Sequence, residues 1–270
     1  MEFYGLIGEK LGHSLSPIIH KRVFELLGIE GAYKLFPIPK EDIKYYGKSL
    51  KVLGIKGVNV TIPYKQEVMK ELDFISDEAS KIGAVNTILL KDNKLYGYNS
   101  DYFGFGMLLD NNNIKVKDNV VVVMGNGGAA KALLQYILDN NPKKLYLVTR
   151  NKDSVKKSDI KEGIDLIDYE ELKNVKGDVL VNSTPVGMYP NVSKSVVSED
   201  IIKNFDSLVD IVYNPKCTEF MKIGQQLGKK VCNGLYMLVG QAIKSQEIWQ
   251  DKKIEKEIID KIYEEIEKEF

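Results

Sequence analysis

An α/β fold in two domains is predicted by three observations. Short apolar runs alternate with helical patterns along nearly the whole chain. The runs change character after the polar stretch "NNNIKVKDN" at 111–119, from alternating to continuous. And one continuous run, "VVVVM", leads through a glycine-rich turn straight into an amphipathic helix. Continuous runs of this kind suit a parallel sheet covered on both faces.

Taken in order, "FYGLIG" is a strand, and "SPIIHKRVFELLGI" is a helix entered at Ser16 as N-cap with Pro17 at N1. "AYKLFPI" is a second strand, Ile43–Leu53 a helix, and "GVNVTI" a third strand. In that third strand Val58, Val60 and Ile62 alternate as one buried face, which leaves Asn59 and Thr61 on the other. Pro63 stops it, and the apolar rhythm of Val68, Met69 and Leu72 predicts a helix with Lys65 in its first turn. A helix N-terminus disfavours a cation, so Lys65 is oddly placed for a lysine that merely faces solvent. "AVNTILL" and "LYGYNS" flank "KDNK" as an antiparallel hairpin, and Asp101 can cap the helix in "DYFGFGMLL". The polar stretch at 111–119 reads as a surface loop between domains. Beyond it, "VVVVM", "KLYLVTR", "DVLVNS" and "SLVDIVY" are four strands. The tail is helical from Ile243, with Ile254, Ile258, Ile262 and Ile266 as a stripe that packs on its own domain.

Composition narrows the function classes. The 270 residues carry 38 basic and 38 acidic side chains, a balance that does not suit a nucleic-acid or anionic-membrane surface. No run of about 18 apolar residues and no signal-peptide pattern is present, so a cytoplasmic protein is expected. Cys217 and Cys232 form neither a disulfide framework nor a zinc-site spacing, and no metal is expected.

The glycine turn is the sharpest local signal. Gly125-Asn126-Gly127-Gly128-Ala129-Ala130 satisfies G-x-G-x-x-A between a strand and a helix, the Rossmann-type dinucleotide context. Gly125 permits the tight turn, Gly127 lets a pyrophosphate approach the backbone, and Ala130 keeps helix and strand close. The next strand ends in Thr149-Arg150-Asn151-Lys152, where an NAD site would usually place an acid for the ribose hydroxyl. Arg150 can instead pair with a 2′-phosphate and stack on adenine, with charge added by Lys152, so NADP(H) is the expected cofactor.

A dinucleotide site alone does no chemistry, and the first hundred residues hold a set of polar side chains at strand ends. Ser14, Ser16, Asn59, Thr61, Lys65, Asn86 and Asp101 are donors and acceptors suited to a hydroxylated, anionic small molecule.

Eight motifs in order now carry a resemblance. "HSLSP-x-x-H" (His13 to His20), "GVNVTIPYK", "GAVNTI", "G-x-N-S-D-x-x-G", "GNGGAA", "NSTPVGM", "DIVYNP" and "NGLYMLVGQA" together resemble the shikimate dehydrogenase family over the whole chain. The resemblance implies an N-terminal α/β substrate domain with a mixed sheet, residues 1–102 plus 235–270, and a Rossmann-type NADP-binding domain, residues 103–234. The C-terminal helices would return to the N-terminal domain. It implies that Ser14 and Ser16 bind the substrate carboxylate with Thr61 assisting nearby, that Asn59 also belongs to the substrate site, and that Lys65, Asn86, Asp101 and Gln241 surround the ring hydroxyls. Lys65 and Asp101 would be the catalytic pair, and Tyr213 would touch the substrate. Gly125 to Ala130 would hold the pyrophosphate, and Thr149, Arg150, Asn151 and Lys152 the adenosine end. Thr184, Met188, Ile211, Gly234 and Met237 would line the rest of the cofactor. Met237 and Gln241 are four apart on one helix, so one face could serve both ligands.

The implied reaction is reversible NADPH-dependent reduction of 3-dehydroshikimate to shikimate, in a monomer or homodimer. Two departures from the family pattern touch the substrate loop: "GEKLGHSLS" lacks a proline before His-Ser, and Lys21 replaces an Asn. The rival readings are an NAD(P)-dependent quinate/shikimate dehydrogenase and a non-catalytic NADP- or shikimate-sensing regulator.

Overall fold

The computed structural model describes residues 1–12, 14–155 and 160–268, so His13 of the first motif lies outside the described residues. The chain divides into two compact units, Met1–Gly104 together with the segment from Leu238, and Phe105–Met237.

The first unit is built on a six-stranded mixed sheet. Its strands are β1 (Glu2–Gly8), β2 (Gly31–Pro37), β3 (Gly57–Val60), β4 (Phe74–Ile75), β5 (Thr87–Lys91) and β6 (Lys94–Tyr98), in the order β2-β1-β3-β5-β6-β4. β1 runs parallel to β2 and β3, while β5 is antiparallel to β3 and β6. The β5–β6 hairpin turns through Asp92 and Asn93, both at positive φ (50° and 59°), the pairing a tight two-residue turn requires. Helices α1 (Ser16–Leu27), α2 (Tyr46–Leu53) and α3 (Asp77–Ile82) follow, then α4 (Ser100–Asn111), whose start belongs to this unit. Tyr46, Leu50, Val58, Val60, Val68, Val85 and Ile88 pack together as a core between sheet and helices.

In the second unit the strands β7 (Val120–Met124), β8 (Lys144–Val148), β9 (Ile164–Ile167), β10 (Gly177–Asn182), β11 (Phe205–Asp210) and β12 (Lys230–Cys232) form an all-parallel sheet. The order β12-β11-β10-β7-β8-β9 is that of a doubly wound Rossmann sheet, with its switch point between β7 and β10. Helices α5 (Gly128–Asp139), α6 (Tyr169–Leu172), α7 (Glu199–Ile202) and α8 (Glu219–Gln226) belong to it. α9 (Leu235–Gln250) crosses the division of the chain, and α10 (Lys256–Glu267) closes the first unit.

Several sequence expectations are corrected here. Lys65 is not in an α-helix: residues 62–66 form a turn, followed by a 3₁₀ helix at Glu67–Glu71. Room is the reason, since the Lys65 carbonyl is taken by the Val85 N–H at 2.8 Å and β4 begins three residues after the 3₁₀ turn. Ile62 is 72% exposed, because β3 already ends at Val60. The N-cap of α1 is Leu15, and it is the Ser14 hydroxyl that accepts the Ser16 N–H. The expected helix at Ile43–Leu53 begins as a 3₁₀ turn at Ile43–Tyr45 before α2. The stretch 111–119 lies inside the second unit, held by buried Ile114 and Val116, rather than between units. In the tail, Ile259 replaces Ile258 on the buried stripe with Ile262 and Ile266. That stripe does pack on its own unit, against α1, where Arg22 forks onto Glu265. β4, β9 and β12 are strands the apolar pattern does not announce, all of them short and at sheet edges.

Candidate active site and cofactor loop

β3 delivers Asn59 and the residues after it to one end of the first sheet. The turn at 62–66 then swings Lys65 inward, and Tyr64 anchors it from beneath with a hydroxyl donated to the Ile38 carbonyl. Across from it, α4 starts at Ser100, so Asp101 stands in the first turn, where a carboxylate is favoured by the helix dipole. Lys65 Nζ donates to Asp101 Oδ2 at 2.6 Å, with side-chain exposures of 18% and 6%. Such a short, largely buried contact is a charge-assisted hydrogen bond rather than a solvated surface pair.

Lys65 opens into a cavity of about 170 Å³. Ser14, Ser16, Asn59, Thr61, Asn86 and Gln241 also line it, with Leu6, Ile19 and Leu238 supplying apolar wall. That is below the roughly 300–1,000 Å³ of pockets for drug-sized ligands, and fits a small polyol or hydroxy acid. Ser14 and Ser16 sit where α1 begins, and Pro17 leaves no N–H at the next position. Asp101 lies behind Lys65, outside the lining. Asn59 lines the cavity, but its amide is engaged by protein: Nδ2 donates to Ser245 Oγ (2.7 Å) and Thr87 Oγ1 (3.1 Å), and Oδ1 accepts from Tyr33 (2.8 Å). His20 is fully buried beside it, stacked on Tyr33 with ring centroids 4.1 Å apart. Burial pushes its imidazole down to about 3, so it is neutral. A larger hollow of about 720 Å³ lies by the β5–β6 hairpin and the end of α9. Within its lining Lys244 pairs with Glu247 at 3.2 Å and Lys91 with Asp251 at 4.0 Å.

In the second unit the loop after β7 meets the demands of a pyrophosphate cradle. Gly125 has φ +100°, and a Cβ there would collide with Thr184 and Ser183. At Gly127 and Gly128 a Cβ would meet nothing within 4 Å, so their backbone is open to an approaching ligand. α5 begins at Gly128 with no acid in its first turn, which leaves its free N–H groups to an anion. Ala130 is fully buried, as close helix–strand packing needs.

Thr149 is buried at the end of β8, and Arg150 beside it is exposed and able to reach a phosphate. Asn151 uses its side chain to accept the Asp153 N–H. Lys152 is already engaged, 2.7 Å from Glu171 and 3.8 Å from Asp168. The Thr184 hydroxyl donates to Asn182 Oδ1 at 2.7 Å, and Asn182 Nδ2 donates to Asp210 Oδ1 at 3.0 Å. Asp210 is fully buried at the end of β11, and burial pushes its carboxyl up to about 6. Gly234 packs directly on the Ile211 carbonyl, where no side chain fits. Met188 is 46% exposed, Tyr213 is half-buried, and Met237 is buried on α9. The residues fit a dinucleotide phosphate.

Sequence reasoning does not assign a role to Thr87, Ser100, Ser245, Tyr33 or His20, although Thr87, Ser100 and His20 sit inside the quoted motifs. The signal for Thr87 and Ser100 was adjacency to Asn86 and Asp101. Among the described residues, no group of His, Cys, Asp and Glu could hold a metal ion, and no helix is long and apolar enough to cross a membrane.

Comparison with known proteins gives concordant findings. A family model described as "Shikimate dehydrogenase substrate binding domain" matches residues 6–88. The chain is 60% identical over 270 residues to a Clostridium beijerinckii protein named "Shikimate dehydrogenase (NADP(+))", covering 100% of both. It is similar to the crystal structure of shikimate dehydrogenase 1 from Peptoclostridium difficile, at 60% identity and TM-score 0.90, over 99% of this chain and 98% of that one. It is also similar to a Thermus thermophilus shikimate 5-dehydrogenase solved with NADP(H) and shikimate, at 28% identity and TM-score 0.87, over 98% and 99% of the two chains.

Proposed function

This chain belongs to the shikimate dehydrogenase family, and on that premise we propose that Lys65 and Asp101 are its catalytic pair. The activity is the NADP-dependent interconversion of 3-dehydroshikimate and shikimate, an oxidoreductase reaction at a CH–OH group of the shikimate pathway. When bound, NADPH supplies the hydride for the C3 carbonyl. Lys65 Nζ gives a proton to the developing alkoxide, and as ammonium it stabilises negative charge before the transfer. Asp101 Oδ2 holds that ammonium in place. In the oxidative direction the neutral amine form of Lys65 takes the hydroxyl proton and becomes the ammonium.

Ser14 and Ser16 receive the substrate carboxylate, while Asn86 and Gln241 bind ring hydroxyls. Tyr213 and Thr61 assist the substrate. Gly125 to Ala130 receive the pyrophosphate and Arg150 the 2′-phosphate, with Thr149 and Asn151 shaping the adenosine end. Thr184, Met188, Ile211, Gly234 and Met237 form the remainder of the cofactor wall. Apart from Tyr213, the first unit thus serves the substrate and the second the cofactor.

The observation that carries this reading is the 2.6 Å Lys65–Asp101 contact at a small polyhydroxylic-type cavity. Initial rates for shikimate and quinate, each with NADP and NAD, test it. Fast turnover confined to shikimate with NADP is expected. Comparable rates with quinate would move the protein to its dual-specificity relatives, and silence in all four pairs with NADP still bound would leave a regulator.

A further inference from the structure

Behind the substrate cavity lies a set of buried groups that no step of the reaction uses. Thr87, Ser100 and Ser245 are all fully buried, on β5, α4 and α9. We propose that these three hydroxyls are positioning residues that fix the direction of the Asn86 and Asn59 amides and hold Gln241 in register with them. The inference rests on reading the cavity as the substrate site.

The direction of Asn86 follows from its neighbours. Its Oδ1 accepts the Ser100 backbone N–H at 2.7 Å and the Ser100 hydroxyl at 3.1 Å. A backbone N–H is a donor only, so flipping the amide would set donor against donor in a buried place. Oδ1 is therefore the end that holds the start of α4, one residue before Asp101. The amide nitrogen is left for the cavity that Asn86 lines.

The remaining protons can be counted. Asn59 Nδ2 has two hydrogens, and three acceptors face them: Ser245 Oγ at 2.7 Å, Thr87 Oγ1 at 3.1 Å and the Asn86 carbonyl at 3.3 Å. Ser245 donates its own proton to the Gln241 carbonyl at 2.9 Å, one turn earlier on α9. Thr87 Oγ1 lies 3.0 Å from both Ser100 Oγ and Ser245 Oγ, and its single proton has three acceptors in reach, these two and Asn86 Oδ1 at 3.2 Å. Every hydroxyl proton and both amide hydrogens then have an acceptor. Thr87 is the hub: it touches both asparagines and both serines. A fully satisfied buried network of this kind rigidifies the groups it joins. Removing one member leaves others unpaired in the interior, where a lost partner is costly.

The test compares Thr87→Val, which keeps the shape without the hydroxyl, with Thr87→Ser, which restores it. Thr87→Val is expected to raise KM for shikimate by about tenfold or more, to leave KM for NADP within about twofold, and to be rescued by Thr87→Ser. Ser245→Ala, a smaller change, is expected to move the same constant in the same direction and serves if the valine variant does not fold. A shikimate KM within about twofold of the parent in both variants, or equal rises for shikimate and NADP, overturns the proposal. Lys65→Ala in the same assay separates the two readings. If it stays active the site assignment fails, and if it is inactive while Thr87→Val is normal only the positioning role fails.

Discussion

The proposed substrate cavity of the first unit and the glycine loop of the second are built of opposite materials. The cavity is lined by side chains from separate stretches of chain that other side chains hold: Lys65 by Asp101, Asn59 by Thr87 and Ser245, Asn86 by Ser100. The loop offers backbone made accessible by missing side chains, at Gly127 and Gly128. Truncation should therefore damage the first and enlargement the second.

The largest effect expected from breaking this contrast is at Lys65. Lys65→Ala should lower kcat by roughly 10² to 10⁴, the range of general acid–base residues, with NADP binding by fluorescence titration unchanged. An activity within about threefold of the parent would remove Lys65 from the reaction.

The loop glycines should separate from each other. Gly125→Ala meets both positive φ and the Thr184 side chain, and should destabilise the protein by about 1–3 kcal/mol in a denaturant titration. Gly127→Ala adds a methyl into open space, so its stability should hold while KM for NADPH rises. Equal losses of stability in both would mean that Gly127 is there for the turn and not for a ligand.

A smaller, sharper effect concerns cofactor choice. Arg150→Ala should raise KM for NADPH far more than for NADH, because it removes a partner for the 2′-phosphate. Lys152→Ala should change little, since Glu171 and Asp168 already balance its charge. Parallel losses with both cofactors in Arg150→Ala would count against that role.

The smallest effect is in the pH dependence of stability. Asp210 has its carboxyl raised by burial from 3.8 to about 6. Stability from this group is complete below the ordinary value and is lost as pH rises through about 6, because the folded state prefers the protonated acid. Urea titrations between pH 4 and 7 should show a decline that Asp210→Asn flattens; an identical slope in the variant would contradict this.

The same difference in materials explains what the sequence disclosed. The loop from Gly125 to Ala130 is contiguous, and strand, turn and helix around it follow from local rules, so its form was legible directly. The cavity is assembled by long-range pairing, as when Asn59 meets Ser245 across 186 positions, and no local pattern carries that information. Lys65 shows the limit well. The rhythm of Val68, Met69 and Leu72 suggests a helix, but the hydrogen bond from Val85 to the Lys65 carbonyl holds this segment in a turn. β9 and β12 escaped notice because "IDLI" and "KVC" are too short to show a period, and both are outer strands of the sheet. Ile258 and Ile259 exchange places because the helix has 3.6 residues per turn, and a spacing of four drifts off the buried face.

The most direct test of the Lys65–Asp101 pair is a double-mutant cycle on single-turnover rates of shikimate oxidation, using Lys65→Ala, Asp101→Asn and the two together. If Asp101 acts by holding the Lys65 ammonium, the double variant should be no slower than Lys65→Ala alone. Losses that multiply as independent factors would contradict the pair and leave Asp101 with a role of its own.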